Sequence, residues 1–503
     1  MYKVPALLIF LATSALWAQP ATITPIKPSI KEECFQVGNV EELYGFAAAR
    51  MGTDGFETDT TGCLELTQDI VVNKNVLNSD GDLAGDTASY IPWVPVSVFN
   101  GAVRGNGHTI SGLFVKQDDR EHNNIGFFGS FGGTIEDLHI EDSYIEDGGS
   151  TVYHYVGGFA GENYGKGGTR YGITIKNSSF SGTIISRSSA IGVGGFVGKN
   201  TARITIEDSH TSGKITGTSS LGGFVGETDD IIITRSFNSA NIETTNKYAG
   251  GLAGYASANF LCEIIITESY NKGNVKGYDA AGGLVGFAGY TKSKIVNSYN
   301  SGTLSARSHI GGIIGSTKLG ENRDIYIYNS FNVGAINPGG GYIKYFGVLG
   351  ELHSSDYHKI ENTFFVKDTL YNDSSTFYGT ALDASKFEDG SLLIEMQQFK
   401  IDSINGLVWG QAVGQDKHPV LTTRQLDPIK KKTNTTSGVK IFAESRSIKL
   451  DGLSPMSKFA VFDLRGLLLK KGITHSSSVS LEVPCAGTFI VQINGINKIV
   501  TIK

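Results

Sequence analysis

Through the middle of the chain, apolar and polar residues alternate in short runs, and each run is closed by Ser, Asn or Gly. One such phrase is Ile204, Ile206, Ser209, Gly213, Ile215; it returns as Ile231, Ile233, Ser236, Ala240, Ile242 and as Ile264, Ile266, Ser269, Gly273, Val275. Ile295, Ser298, Gly302, Leu304 and then Ile325, Ile327, Ser330, Gly334, Ile336 continue the series. Period-two alternation over so few residues predicts short β-strands, because successive side chains of a strand point to opposite faces. No helical periodicity intervenes.

Ahead of each phrase stands a glycine string. It is clearest at Val156–Gly161, Val193–Gly198, Leu221–Gly226, Ala249–Gly254, Ala281–Gly286 and Ile310–Gly315, with weaker copies at Ile125–Gly129 and Phe346–Gly350. The aligned glycines fall at 126, 158, 195, 223, 251, 283, 312 and 347, in steps of 28 to 37 residues. A repeat in this range, with strands and no helix between copies, predicts one turn of a solenoid per repeat. The expected fold is all-β: a parallel β-solenoid of about nine coils, a rod of roughly 40 Å at ~4.8 Å per coil.

The glycines are expected at corners, where the backbone needs a positive φ or close approach to its neighbour. Equivalent positions of successive coils should stack. Phe237, Tyr270, Tyr299 and Phe331 form one such column, and Asn238, Asn271, Asn300 and Asn332 the next. Both read as ladders that join coil to coil, the aromatic one alternatively as a platform for sugar stacking.

The ends depart from the pattern. Lys3 precedes an apolar run from Val4 to Trp17, which predicts a signal peptide over 1–18 cut between Ala18 and Gln19, with a cut after Ala15 as the alternative. Residues 19–98 form an N-terminal cap region. Its expected helix starts at a capping box, Asn39 with Glu42, and lies between Cys34 and Cys63, a candidate disulfide; Cys262 and Cys485 read as lone buried thiols. Residues 99–365 carry the coils, and 366–426 a second cap with a short helix near Ser385 to Gln397 and a strand at Leu407 to Gly410. A Thr/Asn/Ser-rich linker spans 427–438, and seven short strands in 439–503 predict a small Ig-like β-sandwich.

The repeats resemble the GLUG motif family, found in bacterial surface adhesins and beside some immunoglobulin-cleaving metallopeptidases. The last 65 residues resemble the sorting domain of type IX secretion cargo through Val461-Phe462-Asp463-Leu464-Arg465-Gly466, Pro484, Gly487-Thr488-Phe489-Ile490-Val491 and Lys503. That resemblance implies passage across the outer membrane of a Gram-negative bacterium and display or release at its surface.

Composition narrows the function. A net charge of -6 with no basic stripe argues against nucleic acid, and no later run reaches the ~20 apolar residues of a membrane span. There is no His-Glu-x-x-His string. His353, Asp356 and His358 are read as loop residues rather than metal ligands, so no metal or cofactor is expected. Glu207, Asp208, Glu227, Asp229 and Asp230 are the carboxylates a polysaccharide lyase or hydrolase would draw on. The leading expectation is a non-enzymatic, surface-displayed binding protein whose partner is a polysaccharide or cell-surface ligand, met through loop tyrosines among Tyr153, Tyr155, Tyr164, Tyr171, Tyr278 and Tyr290. The alternatives are a β-helix lyase or hydrolase, and a structural spacer.

Overall fold

The structure, a computed structural model, describes residues 22–502 except 118–123, 149–154, 164–171, 188–190, 258–261, 290–291, 319–323, 340–343, 352–356, 368–377, 402–403, 423–439, 445–446, 452–456, 464–467, 475, 483–486 and 494–495. The signal-peptide cleavage at Ala18 and Gln19, the linker, Cys485, His353, Asp356, Tyr153, Tyr164, Tyr171 and Tyr290 lie outside the described residues. The chain divides into two compact units, 1–425 and 426–503.

The first unit is a parallel β-solenoid with three faces. In the coil that begins at Ser220, the first strand is Ser220–Gly222, the second Val225–Thr234, and the third is split into Phe237–Asn238 and Asn241–Thr244. Each pairs in parallel with its equivalent one coil on: Leu221 with Ala249, Val225 with Ala253, Ile242 with Val275. Among the described residues, the first face is an eight-stranded sheet, and the second and third are sixteen-stranded.

The interior is a set of ladders. Phe159, Phe196 and Phe224 stack at 4.8 and 5.0 Å, and Leu252, Leu284 and Ile313 follow them, all fully buried. The recurring serines form a second column, in which the backbone N–H of Ser209, Ser236, Ser269 and Ser298 donates to the hydroxyl of the next serine at 3.0–3.2 Å. Each of those hydroxyls in turn donates to the carbonyl two residues back. The asparagines form a third: Asn238 donates to Asn271, Asn271 to Asn300 and Asn300 to Asn332, each at 2.8 Å. Ladders of this kind satisfy interior polar groups without water, which a dry core requires.

The glycine pairs act by closeness alone. None of them has a positive φ. A Cβ on Gly251 would overlap the Gly283 carbonyl oxygen and stand 2.5 Å from Asn271 Cγ, and one on Gly283 would overlap the Gly312 carbonyl and stand 2.5 Å from Asn300 Cβ. The left-handed corners lie instead just before the serine column, at Asp137, Asn177, Asp208, Arg235, Glu268, Asn297, Asn329 and Asn362, with φ between 46° and 54°. Asn and Asp tolerate that region best, and Arg235 and Glu268 occupy it at some cost.

The solenoid starts earlier than residue 99. Cys63–Leu66 pairs in parallel with Ala102–Arg104, and Cys34–Val37 pairs with the 64–66 strand, so the N-terminal segment extends the second face. Helix α1, Val40–Met51, packs over the end of the core; Asn39 accepts from Glu42 N at 2.9 Å, and Glu42 accepts from Gly38 N. Gly52 at φ 68° ends the helix. Cys34 and Cys63 are joined in a disulfide, whereas Cys262 is half-buried rather than buried.

Residues 380–422 run back along the third face instead of simply closing the last coil. Thr380–Leu382 pairs with Phe364–Val366, and then α2 (Ala384–Glu388) and α3 (Ser391–Gln398), broken at Gly390, lie over the aromatic column. Phe387, Leu392, Met396, Trp409 and Leu421 seal Tyr270, Tyr299, Phe331 and Phe364. That column therefore faces outward and is buried by the cap, while its Asn neighbours face in, as the period of two demands.

Among the described residues, the second unit holds seven antiparallel strands in a three-stranded and a four-stranded sheet. Ile448, Leu450 and Leu481 of one sheet and Val461, Val491 and Ile493 of the other form its core.

Candidate functional site

Beyond the cap, the outer side of the third face stays open over several coils. Strand register places its outward side chains in columns. One runs Lys214, Asn241, Asn274, Thr303, and its neighbour Thr216, Glu243, Lys276, Ser305. With Asp80 they line a groove of about 480 Å³. Asp80 reaches it on the 74–86 loop, which is tied down where Asp82 pairs with Lys214 at 3.2 Å and Thr183 donates to the Gly81 carbonyl.

Two kinds of recognition chemistry line this groove, and aromatic rings stand further along the same face. Asn241 and Asn274 have their carbonyl oxygens engaged, accepting from Asn274 N at 3.0 Å and Thr303 N at 3.1 Å, so that what each side chain still offers is its amide donors. Glu243 and Lys276 form an exposed pair at 2.6 Å. At the edge nearest the cap, the aromatic ladder emerges: Phe237 is half-buried, stacked at 4.9 Å on His210 and at 5.0 Å on Tyr270, with the Lys272 ammonium 5.0 Å from the Tyr270 ring centre. At the opposite end of the strands, Arg307 covers the exposed Tyr278 at 4.9 Å and donates to its hydroxyl at 2.8 Å.

The other expected residues are dispersed. Arg235 clamps Asp208 at 2.9 and 2.6 Å and also meets Glu207, so that acidic pair joins two coils. Asp230 is held by Arg203 at 3.0 Å. Glu227 lies on the second face beside Lys199, at 3.4 Å, and burial raises its carboxyl pKa above the ordinary range. Tyr155 belongs to that same place, accepting from Lys199 at 3.2 Å. His358 packs edge-on to Tyr378. Among the described residues, no group of three or more His, Cys, Asp and Glu side chains is placed to hold a metal ion, and no helix is long and apolar enough to cross a membrane. The two columns of the groove were present in the repeats as the positions three and five after the inward Asn, but nothing in the spacing showed that they stay uncovered.

The GLUG motif family matches residues 152–185. No curated protein matches the chain. Of the solved structures, one titled a putative immunoglobulin A1 protease from Bacteroides ovatus is similar at 16% identity and a TM-score of 0.37, covering 79% of this chain and 95% of that one. Another, titled IgA1 Protease, is similar at 14% identity and a TM-score of 0.37, covering 78% of this chain and 27% of that one. These titles overturn the expectation of a chain without enzyme activity, and that expectation is withdrawn. At this TM-score the likeness itself assigns no activity.

Proposed function

We propose that the chain is a GLUG-repeat surface protein that holds a glycan along the open third face of its solenoid. The observation that carries this reading is the groove lined by Asn241, Asn274, Thr216, Thr303, Ser305, Glu243 and Lys276 beside the aromatic edge at Phe237. Amide, hydroxyl and charged groups at the ~4.8 Å coil repeat offer successive sugar hydroxyls donors and acceptors in register, and an aromatic edge favours the apolar side of a pyranose. Neither sign of charge dominates the groove, which suits a neutral chain more than a polyanion.

The N-terminal run and the C-terminal sandwich support export: removal of residues 1–18, then engagement of the type IX machinery by 439–503. The mature chain would be displayed or released at the outer surface of a Gram-negative cell.

Pull-down of the full mature chain on insoluble and soluble plant and bacterial polysaccharides tests the binding, with reducing-end and unsaturated products followed in the same tubes. Retention that falls at least tenfold in Phe237→Ala and in Asn241→Ala/Asn274→Ala supports the groove. Retention unchanged in both variants, or no retention on any polymer, overturns it.

A further inference from the structure

The groove on the third face has a fixed step and a closed end, and both restrict what can lie in it. The step comes from the sheet. Asn241 Oδ1 accepts from Asn274 N at 3.0 Å and Asn274 Oδ1 from Thr303 N at 3.1 Å, so the same side-chain geometry returns one coil on, although the two coils span 33 and 29 residues. Hydrogen-bonded strands set the distance between those side chains at ~4.8 Å. Lys214, Asn241, Asn274 and Thr303 therefore form a row of four polar positions along the solenoid axis, about 14 Å from first to last. The parallel row through Thr216, Glu243, Lys276 and Ser305 keeps the same step.

The closed end comes from the 74–86 loop. One coil before Lys214 the first row carries Thr183, which is buried because the loop rests on it. Its hydroxyl donates to the Gly81 carbonyl, and a Cβ on Gly81 would stand 3.4 Å from Thr183 Oγ1. In the second row, Ile185 packs with Leu77 and Leu83 of the loop on the cluster of Val76 and Tyr144. The loop is itself held, since Asp142 accepts from Val76 N at 3.1 Å and Leu77 N at 2.9 Å. Asn78 Oδ1 accepts from Asp80 N and Asp82 N, both at 2.9 Å, which fixes Asp80 in the end wall of the groove. At the other end the rows run on into the exposed Ala335 and Asn337, where Leu304 pairs with Ile336.

An extended pyranose chain with equatorial linkages at both ends of each sugar advances by nearly one coil step per residue, so each sugar meets one coil. A peptide strand does not match: its same-side groups recur every second residue, about 6.6 Å, and fall out of step within the groove. An α-linked chain coils and leaves a straight row after a sugar or two. Resting on the glycan reading of the groove, we infer that it takes the end of a linear β-1,4-linked chain, four sugars laid along the axis with the terminal one against Asp80. A terminal sugar keeps a hydroxyl that an interior one has spent in a linkage, and the Asp80 carboxylate accepts from it. A stiff chain cannot pass the loop without lifting off the row.

Calorimetric titration of the full chain with β-1,4-linked gluco-, manno-, xylo- and N-acetylglucosamine oligosaccharides of two to six residues tests the inference, with α-1,4- and α-1,6-linked glucohexaoses as controls. At least one β-1,4 series should bind tenfold or more above both controls. Its affinity should rise at least tenfold from disaccharide to tetrasaccharide and less than twofold from there to the hexasaccharide, and Asn241→Ala/Asn274→Ala should abolish it. A soluble polymer of that series should titrate at least tenfold fewer sites per sugar residue than the hexasaccharide, because only its ends fit. Polymer sites in proportion to its sugars, an affinity still climbing at six residues, a control bound as tightly, or binding that survives the double Asn variant would each overturn the inference. So would polymer retention in the pull-down with no oligosaccharide bound, which leaves the glycan reading standing, whereas no retention on any polymer overturns that reading itself.

Discussion

Replacing Asn271 by Asp tests the interior amide ladder at constant side-chain volume. Asn271 is fully buried. Its Nδ2 donates to Asn300 Oδ1 and to the Gly273 carbonyl, each at 2.8 Å; its Oδ1 accepts from Asn238 Nδ2 at 2.8 Å and from Gly273 N at 3.2 Å. An aspartate keeps both accepted bonds and turns both donated ones into oxygen–oxygen contacts. Two buried acceptors then lose their donor, at about 1–3 kcal/mol each, so the loss is on the order of 2–6 kcal/mol before the carboxylate's own desolvation is added. Burial should hold the new carboxyl protonated, with its pKa raised above the ordinary value of about 3.9, and a protonated carboxyl regains one donor. For a carboxyl raised by folding, the stability is present below the unfolded pKa and is lost as pH rises through the folded one. Urea unfolding of the full chain, followed by circular dichroism between pH 4 and pH 8, should therefore show a gap between wild type and Asn271→Asp that is widest at neutral pH and narrows on acidification. Coils couple chiefly to their neighbours, so the comparison is between midpoints from one probe rather than between fitted two-state energies. A neutral-pH gap below about 1 kcal/mol, or one that does not move with pH, would refute a dry, fully bonded ladder.

Gly283→Ala should prevent the central coils from closing, because the added methyl meets the Gly312 carbonyl oxygen, which is backbone and cannot turn aside; soluble yield and strand content report this, and Gly107→Ala, which meets nothing within 4 Å but has φ 77°, should cost only the strain of its backbone, about 1–2 kcal/mol. Glu268, at φ 48°, should accept Gly with little change, whereas Val should cost about 1–2 kcal/mol more, read as a shift in thermal midpoint. Burial lowers the pKa of His418, which packs 5.1 Å from Tyr299 and 5.6 Å from Phe331, with its Pro419 carbonyl contact and Asp416 acting the other way and Lys272 adding to the depression. A base depressed by folding contributes stability above its unfolded pKa of about 6.5 and loses it as pH falls below that value. Emission from buried Trp409, 5.3 Å from Phe331, should accordingly shift as pH drops from 7 to 5, and His418→Phe should remove the shift.

What the chain's pattern made legible was whatever repeats within one coil. The serine, asparagine and aromatic columns could be aligned from Ser236-Phe237-Asn238 and its copies alone, because each column is a single position sampled once per turn. The reason for the glycine pairs was only half legible. A Gly can mark either a positive φ or a close approach, and spacing does not separate the two; the left-handed corner lies 11 to 19 residues further on, at residues such as Glu268 and Asn329, which carry no glycine to announce it. The identity of the inward neighbour explains the rest. Gly223, Gly251, Gly283 and Gly312 stand against Asn238, Asn271, Asn300 and Asn332, while Gly158 stands against Phe180 and Gly195 against Thr211, so the glycine is retained whatever faces it because the carbonyl of the following coil is always there.

The groove was not legible, because its openness is decided by segments outside the repeat. Tyr299 and Phe237 occupy equivalent positions in their coils, yet one is sealed by Trp409, more than a hundred residues away in sequence, and the other stands at the edge of an open surface. Lys214 likewise meets Asp82 across 132 residues. A solenoid makes its core from positions that repeat and its sites from positions where the repeat is interrupted. Mutagenesis aimed at function should therefore begin where one column changes character, at Phe237, rather than where it is most regular.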